Sequence, residues 1–276
     1  MVTILNSKLL KAKRSIILIV LLSSFCLEAQ ELTKIKSIEL KAPPQSISID
    51  RQGNFYVATR RGEIDKYNID GELRYQFSPQ KRGNATLVEA WQGPRVFLYY
   101  KDFQEFTILD RFLSNSQQYA LPEEFSSFSS LSTISGDGNL WLIDSQNLSL
   151  KKIDSPSNQV IIDNPFNFNF DSDTYSFSHI REYQNQLFIS DPNQGLMVFD
   201  LFGNFSELIK VPGIEYFNFV DDELIYLHNQ KAVLINIYNK QKREISLPDP
   251  SYNYILMENN FLICFADSKV DLFQLN

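Results

Sequence analysis

A unit of four short, strand-like segments recurs along this chain, and a repeat of that kind decides the architecture before any single residue does. Its clearest copy begins with the alternating Ser46-Ile47-Ser48-Ile49-Asp50, turns at Gln52-Gly53-Asn54 and continues into Phe55-Tyr56-Val57-Ala58-Thr59. A second turn, Arg60-Arg61-Gly62, leads to the alternating residues 63–68, and the hairpin dipeptide Asp70-Gly71 leads to residues 72–77. Alternation with period two, bounded by Gly, Asn and Asp, marks strands joined by tight turns in which Gly and Asn supply positive φ.

The unit returns five more times. The third copy reads 131–134, the turn Gly136-Asp137-Gly138-Asn139, then 140–144, 150–153 and 159–162. In the fourth, residues 179–181 precede a turn at Asn185-Gln186, and strands over 187–191, 196–200 and 205–211 follow. The fifth runs through 216–219, 224–227, 233–237 and 243–247. The second copy is degenerate, with strands at 87–90, 96–100 and 106–109, and the sixth has three strands at 254–257, 261–265 and 270–275. The first residues of the second strands are Phe55, Val96, Leu140, Leu187, Leu224 and Phe261, separated by 41, 44, 47, 37 and 37. A period near 40 carrying four strands predicts the blades of a β-propeller, whereas a sandwich has no such period. The last unit lacks a fourth strand, and the alternating segment 32–40 stands unassigned at the other end. The predicted fold is therefore all-β: a six-bladed propeller of four-stranded antiparallel blades, closed by the N-terminal strand completing the last blade.

The chain has 276 residues, 13% of them aromatic, with 22 Phe and 13 Tyr. That supply of large apolar groups suits a single large domain over residues 30–276. Residues 1–29 read as a secretory signal, with Lys8, Lys11, Lys13 and Arg14 ahead of the apolar run 16–27 and small and mixed residues from Ser23 to Ala29. The run is too short to cross a bilayer, so no transmembrane span is expected after cleavage. Cys26 offers a rival position for a lipid anchor, but Phe25 before it is larger than lipoprotein processing favours. Cleavage after Ala29 removes four positive charges and one negative one and takes the formal net charge from −7 to −10. An acidic chain without an aromatic-basic patch speaks against nucleic-acid binding. Cys264 is then the single remaining cysteine, expected as a small buried hydrophobe in Phe261-Leu262-Ile263-Cys264-Phe265.

The stretches "GNFYVATRRGEIDKYNIDGEL" and "GDGNLWLIDSQNLSLKKID" resemble NHL-repeat and TolB-like six-bladed propeller repeats. The likeness is sharp in units one, three and four, and it implies a fold without implying a chemistry. The signal ending Ala29-Gln30, with the bias toward Asn, Ile, Lys and Phe, is similar to envelope proteins of Bacteroidetes-type bacteria. Export to the periplasm, or association with the outer membrane or cell surface, is the expected location.

Propellers present ligand sites where innermost strands begin and blades are joined. Those positions hold Gln45, Asn84, Ser129, His179, Glu215 and Asn253. Resemblance to regucalcin-like lactonases would imply a divalent metal held by Glu, Asn and Asp oxygens polarising a lactone, and Glu215 and Asn253 are the available contributors. No Asp joins them from an opposing blade. No G-x-S-x-G elbow or phosphate loop occurs, His179 and His228 lack ligand spacing, and Gly136-Asp137-Gly138 reads as a hairpin, so no cofactor is expected. Two long connections, 121–128 and 164–177, carry Phe125, Phe128, Phe166, Phe168, Phe170 and Tyr175, candidates for contact with a partner. The reading that follows is a monomeric, non-enzymatic scaffold binding another envelope protein, a peptide or a glycan, with a metal-dependent hydrolase as the alternative.

Overall fold

A computed structural model describes residues 32–154, 157–166 and 175–276. Six four-stranded antiparallel sheets follow one another along the chain. Blade 1 comprises β2 (Pro44–Ile49), β3 (Phe55–Thr59), β4 (Ile64–Tyr67) and β5 (Leu73–Phe77). Blade 2 comprises β6 (Leu87–Glu89), β7 (Arg95–Tyr100), β8 (Glu105–Asp110) and β9 (Ser116–Ala120). Blades 3 and 4 are β10 (Ser129–Ile134), β11 (Leu140–Asp144), β12 (Ser149–Asp154), β13 (Gln159–Pro165), and β14 (His179–Tyr183), β15 (Gln186–Asp191), β16 (Gly195–Asp200), β17 (Phe205–Ile209). Blade 5 is β18 (Phe217–Val220), β19 (Glu223–His228), β20 (Lys231–Asn236) and β21 (Lys242–Ser246). Blade 6 holds β22 (Tyr254–Glu258), β23 (Phe261–Phe265) and β24 (Lys269–Leu275), and its outer strand is β1 (Leu32–Glu39).

The predicted closure is therefore the observed one. Strand β1 pairs antiparallel with β24 from Leu32↔Leu275 to Glu39↔Lys269. Its side chains are largely exposed, so apolar burial does little to hold it. The anchor is polar: Asp271, buried on β24, accepts hydrogen bonds from Ser37 Oγ at 2.5 Å and Tyr252 Oη at 2.7 Å, and it pairs with Lys34 at 2.7 Å and Lys269 at 3.1 Å. Burial alone would raise the Asp271 carboxyl, but these four donors outweigh it and hold the group well below the usual carboxylate range. The same strand reaches blade 1, where Lys36 Nζ donates to the carbonyl of Asp70 at 2.9 Å. Gly71 sits there at φ +71, and a Cβ on it would lie 2.7 Å from Ile38 Cδ1, so only glycine lets the hairpin approach the closing strand.

The repeat's turn residues act through Asx chemistry. Asp50 Oδ1 accepts the backbone N–H of Gln52 and of Asn54, each at 3.0 Å, which closes the first hairpin of blade 1. Asp110 and Asp200 do the same for later hairpins, accepting from Phe112 and Ser114, and from Phe202 and Asn204. Asp50 also receives Tyr56 Oη at 2.9 Å and faces Lys66 Nζ at 3.2 Å, with the ammonium 4.9 Å from the Tyr56 ring centre. Blade 3 repeats this arrangement: Lys152 lies 4.8 Å from the Trp141 ring centre and 2.7 Å from Asp137. In both blades aromatic and lysine are directly opposite across the second and third strands, so one cross-strand pair buries a cation beside a π face.

Two boundaries differ from expectation. Blade 2 has the fourth strand that its sequence hides, β9, exposed at every position, so no buried face imposes an alternating pattern on Ser-Gln-Gln-Tyr-Ala. The turn of blade 4 is at Gln184-Asn185, both at positive φ, one residue earlier than the predicted pair. Cys264 is fully buried, as expected, and burial, with Asp271 nearby, pushes its thiol up. Among the described residues, no helix is long and apolar enough to cross a membrane.

Candidate functional site

The innermost strands meet in a way their separate sequences do not announce. Arg181, on the innermost strand β14 of blade 4, is 1% exposed and reaches Glu89 of blade 2, 0% exposed, with Nε 2.6 Å from Oε2. Its Nη2 donates to Ser48 Oγ of blade 1 at 2.9 Å, and its Nη1 donates to Asn218 Oδ1 of blade 5. Blades 1 and 4 are opposite in a ring of six, so side chains from four innermost strands can meet only on the axis. The axis is therefore plugged by a buried ion pair. Burial works against the guanidinium's charge, but Glu89 and the surrounding groups outweigh it and hold Arg181 above its ordinary value. Ser48 Oγ also accepts the backbone N–H of Ala90, which fixes blade 1 against blade 2.

A second tie lies beside the first. Glu182 accepts Trp141 Nε1 at 2.7 Å, Ser135 Oγ at 2.5 Å and the N–H of Gly136 at 2.9 Å, joining blade 4 to the first hairpin of blade 3. A Cβ at position 136 would lie 3.0 Å from the Glu182 carboxylate, so the glycine there serves a close approach.

Above the plug, on the face of the inter-blade connections, opens a cavity of about 1400 Å³ formed mainly by blades 1, 5 and 6. Three of the six candidates at strand starts line it: Gln45, Glu215 and Asn253. Gln45 Oε1 accepts Arg60 Nε at 3.1 Å, and Asn253 Nδ2 donates to Asp267 Oδ1 at 2.7 Å. Tyr216 and Tyr254 form part of the wall edge to face, their ring centres 5.7 Å apart, and their hydroxyls donate to the carbonyls of Ile47 and Gln45. Burial raises the Tyr254 hydroxyl, and Glu215, Arg60 and Asp267 all act on it, which gathers three charges around one ring.

The other candidates do not converge there. Ser129 is fully buried and its polar atoms are used within blades 2 and 3: Tyr99 Oη donates to its carbonyl and its Oγ donates to the carbonyl of Leu131. Asn84 lies off the cavity and buries its Oδ1 without a partner. His179 is buried, with its ring centre 4.5 Å from that of Tyr216, and its Nε2 has no hydrogen-bond partner. Burial, helped by the Arg181 charge, pushes this imidazole well below its ordinary pKa, so it is neutral. His228 does line the cavity, with Nε2 bonded to its neighbour Asn229.

Among the aromatic candidates on the long connections, Phe125 is a correction. It is buried in the core shared by blades 2 and 3, because the connection folds inward at Pro122, whose carbonyl accepts the Phe125 N–H. Phe128 is exposed, with Lys101 over its ring. Phe166 packs on Phe177 and Phe199, and Tyr175 stacks on Phe177 at 5.3 Å. Phe168, Phe170 and residues 1–31, with the predicted signal and Cys26, lie outside the described residues.

For the metal alternative, Glu215 and Asn253 share the cavity, but among the described residues no group of three or more His, Cys, Asp or Glu is placed to hold a metal ion. Sequence reasoning named Glu89, Arg181 and Asn218 only as members of strands. Charge at an inward position of an innermost strand was the available signal, and it was ambiguous because alternation alone cannot say which inward groups meet.

No protein-family model matches the chain, and the curated proteins contain no match. Solved structures do share its fold. BamB from Moraxella catarrhalis is 12% identical, with a TM-score of 0.50 over 88% of this chain and 100% of that one. Selenomethionine-substituted virginiamycin B lyase from Staphylococcus aureus is 14% identical, with a TM-score of 0.59 over 87% and 99%. The Cps50 (Swd1) β-propeller domain of Myceliophteria thermophila is 10% identical, with a TM-score of 0.60 over 89% and 100%. At these identities the likeness is one of fold.

Proposed function

We propose that the chain is an exported, non-enzymatic scaffold of the NHL-repeat and TolB-like kind that holds a protein, peptide or glycan in the cavity between blades 1, 5 and 6. One observation carries this reading: a large open cavity built from inter-blade connections and strand starts, whose central groups retain unused hydrogen-bonding capacity. Among the described residues, no Ser or Cys in it is hydrogen-bonded to a histidine, so the pairing that activates a nucleophile is missing. The signal-like residues 1–29 and the acidic remainder support export in a Bacteroidetes-type bacterium, to the periplasm or the outer-membrane surface, as a monomeric domain over 30–276.

A photo-crosslinking residue placed at Asn229 or Pro250, which line the cavity, should capture a defined adduct from envelope extract in the full chain. The same residue at Tyr119, exposed on the outer strand β9, should not. Equal capture from both places, or turnover of a lactone by the purified protein, would overturn the reading.

A further inference from the structure

The cavity's internal hydrogen bonds leave a specific pattern unused. Gln45 Oε1 accepts from Arg60, which fixes the amide and leaves Nε2, among the described residues, as an unused donor. Asn253 gives one amide N–H to Asp267, which fixes the amide and leaves Oδ1, among the described residues, as an unused acceptor. A donor at Gln45 and an acceptor at Asn253, each on an amide held by one bond, match the carbonyl and N–H of a peptide group.

Charge points the same way. Among the described residues, Arg60 makes no hydrogen bond or ion pair beyond that from Nε to Gln45, and the carboxylate of Glu215 makes none. The two approach the Tyr254 ring from blades 1 and 5 and carry opposite signs. Tyr216 and Tyr254 turn their hydroxyls onto the innermost strand of blade 1, which leaves ring surface toward the cavity. The volume of about 1400 Å³ exceeds the roughly 300–1,000 Å³ of ordinary small-molecule pockets, which suits an extended chain.

We propose that this cavity binds a short peptide segment carrying one acidic and one basic side chain. The acid lies on Arg60 and the base on Glu215; one peptide group sits between Gln45 Nε2 and Asn253 Oδ1, and an apolar side chain rests on Tyr216 and Tyr254. The inference rests on the binding reading above and narrows its ligand.

The test uses fluorescently labelled pools of short synthetic peptides added to the purified chain. One pool combines Glu, Lys and an apolar residue; the others are all acidic, all basic or uncharged. Polarisation should show the mixed-charge pool binding best. Arg60→Ala or Glu215→Gln should each weaken it about tenfold or more, the effect of losing one charge-assisted hydrogen bond. Arg60→Glu should move the preference to the all-basic pool, a change of selectivity that misfolding cannot imitate. Gln45→Leu and Asn253→Leu should weaken all pools alike. Binding by no pool, no preference for the mixed pool, or an unchanged preference in Arg60→Glu would overturn the inference. A labelled glycan panel run in parallel separates it from the broader reading. Glycan capture, or crosslinking from Asn229 or Pro250 without peptide binding, sinks the peptide while leaving the cavity as the site.

Discussion

His179 shows how one buried group sets a pH limit on the fold. Its ring is enclosed by Tyr216 and Phe217, and it stays neutral because burial and the Arg181 charge both disfavour the imidazolium. In the unfolded chain the same imidazole takes up a proton below its ordinary pKa of about 6.5. Below that pH the unfolded state binds more protons than the native one, so stability is complete above it and declines as the pH falls. The expected slope is about 1.4 kcal/mol for each pH unit below 6.5 over which the folded imidazole stays neutral. Urea unfolding at pH 5 and pH 7.5 measures it, and His179→Gln should remove most of the difference. An unchanged difference would mean that other groups set the slope. The sequence placed His179 at the start of an innermost strand correctly, but strand starts differ in burial. At Glu215 and Asn253 the side chain faces the open cavity, whereas at His179 and Ser129 neighbouring blades cover it.

Strand β1, exposed along most of its length, closes the ring. Its anchoring depends on Asp271, which gathers four donors, two of them from β1 itself. Asp271→Ala leaves the Tyr252 hydroxyl without its partner and removes both ties to β1. It is expected to cost roughly 2–4 kcal/mol, which lowers the thermal midpoint by roughly 5–15 °C in a chain of this size. Removing residues through Glu39 goes further, because it exposes the whole edge of β24. Size-exclusion chromatography with light scattering should then find larger species than the full chain forms. A monomer with an unchanged midpoint would show that closure does not depend on this strand. The closing role of residues 32–40 was legible because the strand count ran one short at the other end. The fourth strand of blade 2 was not, since a strand exposed on both faces has no reason to alternate.

Over the whole molecule, the Arg181–Glu89 pair does for the axis what β1 does for the rim. It joins residues 92 positions apart and engages Ser48 and Asn218 besides. Glu89→Leu or Arg181→Met alone leaves an uncompensated buried charge, and each is expected to cost about 3–5 kcal/mol by urea unfolding. The double replacement should recover most of that loss, because it removes both desolvated charges together. Additive losses would mean that the two residues act on stability separately.

Blade number, hairpin positions and ring closure were determined by the sequence alone, because each depends on local alternation, on turn residues that tolerate positive φ, and on a count that runs over the whole chain. The plugged axis and the cavity above it were decided only by tertiary structure. Both depend on side chains from different blades meeting at short range. That convergence follows from how far each blade is rotated about the ring, and no repeat pattern records which inward charge will face which. The motif Asp-x-x-Gly-Asn therefore predicted a hairpin wherever Asp50 stands. Only the assembled ring placed Arg60, on the next hairpin, across a cavity from Glu215.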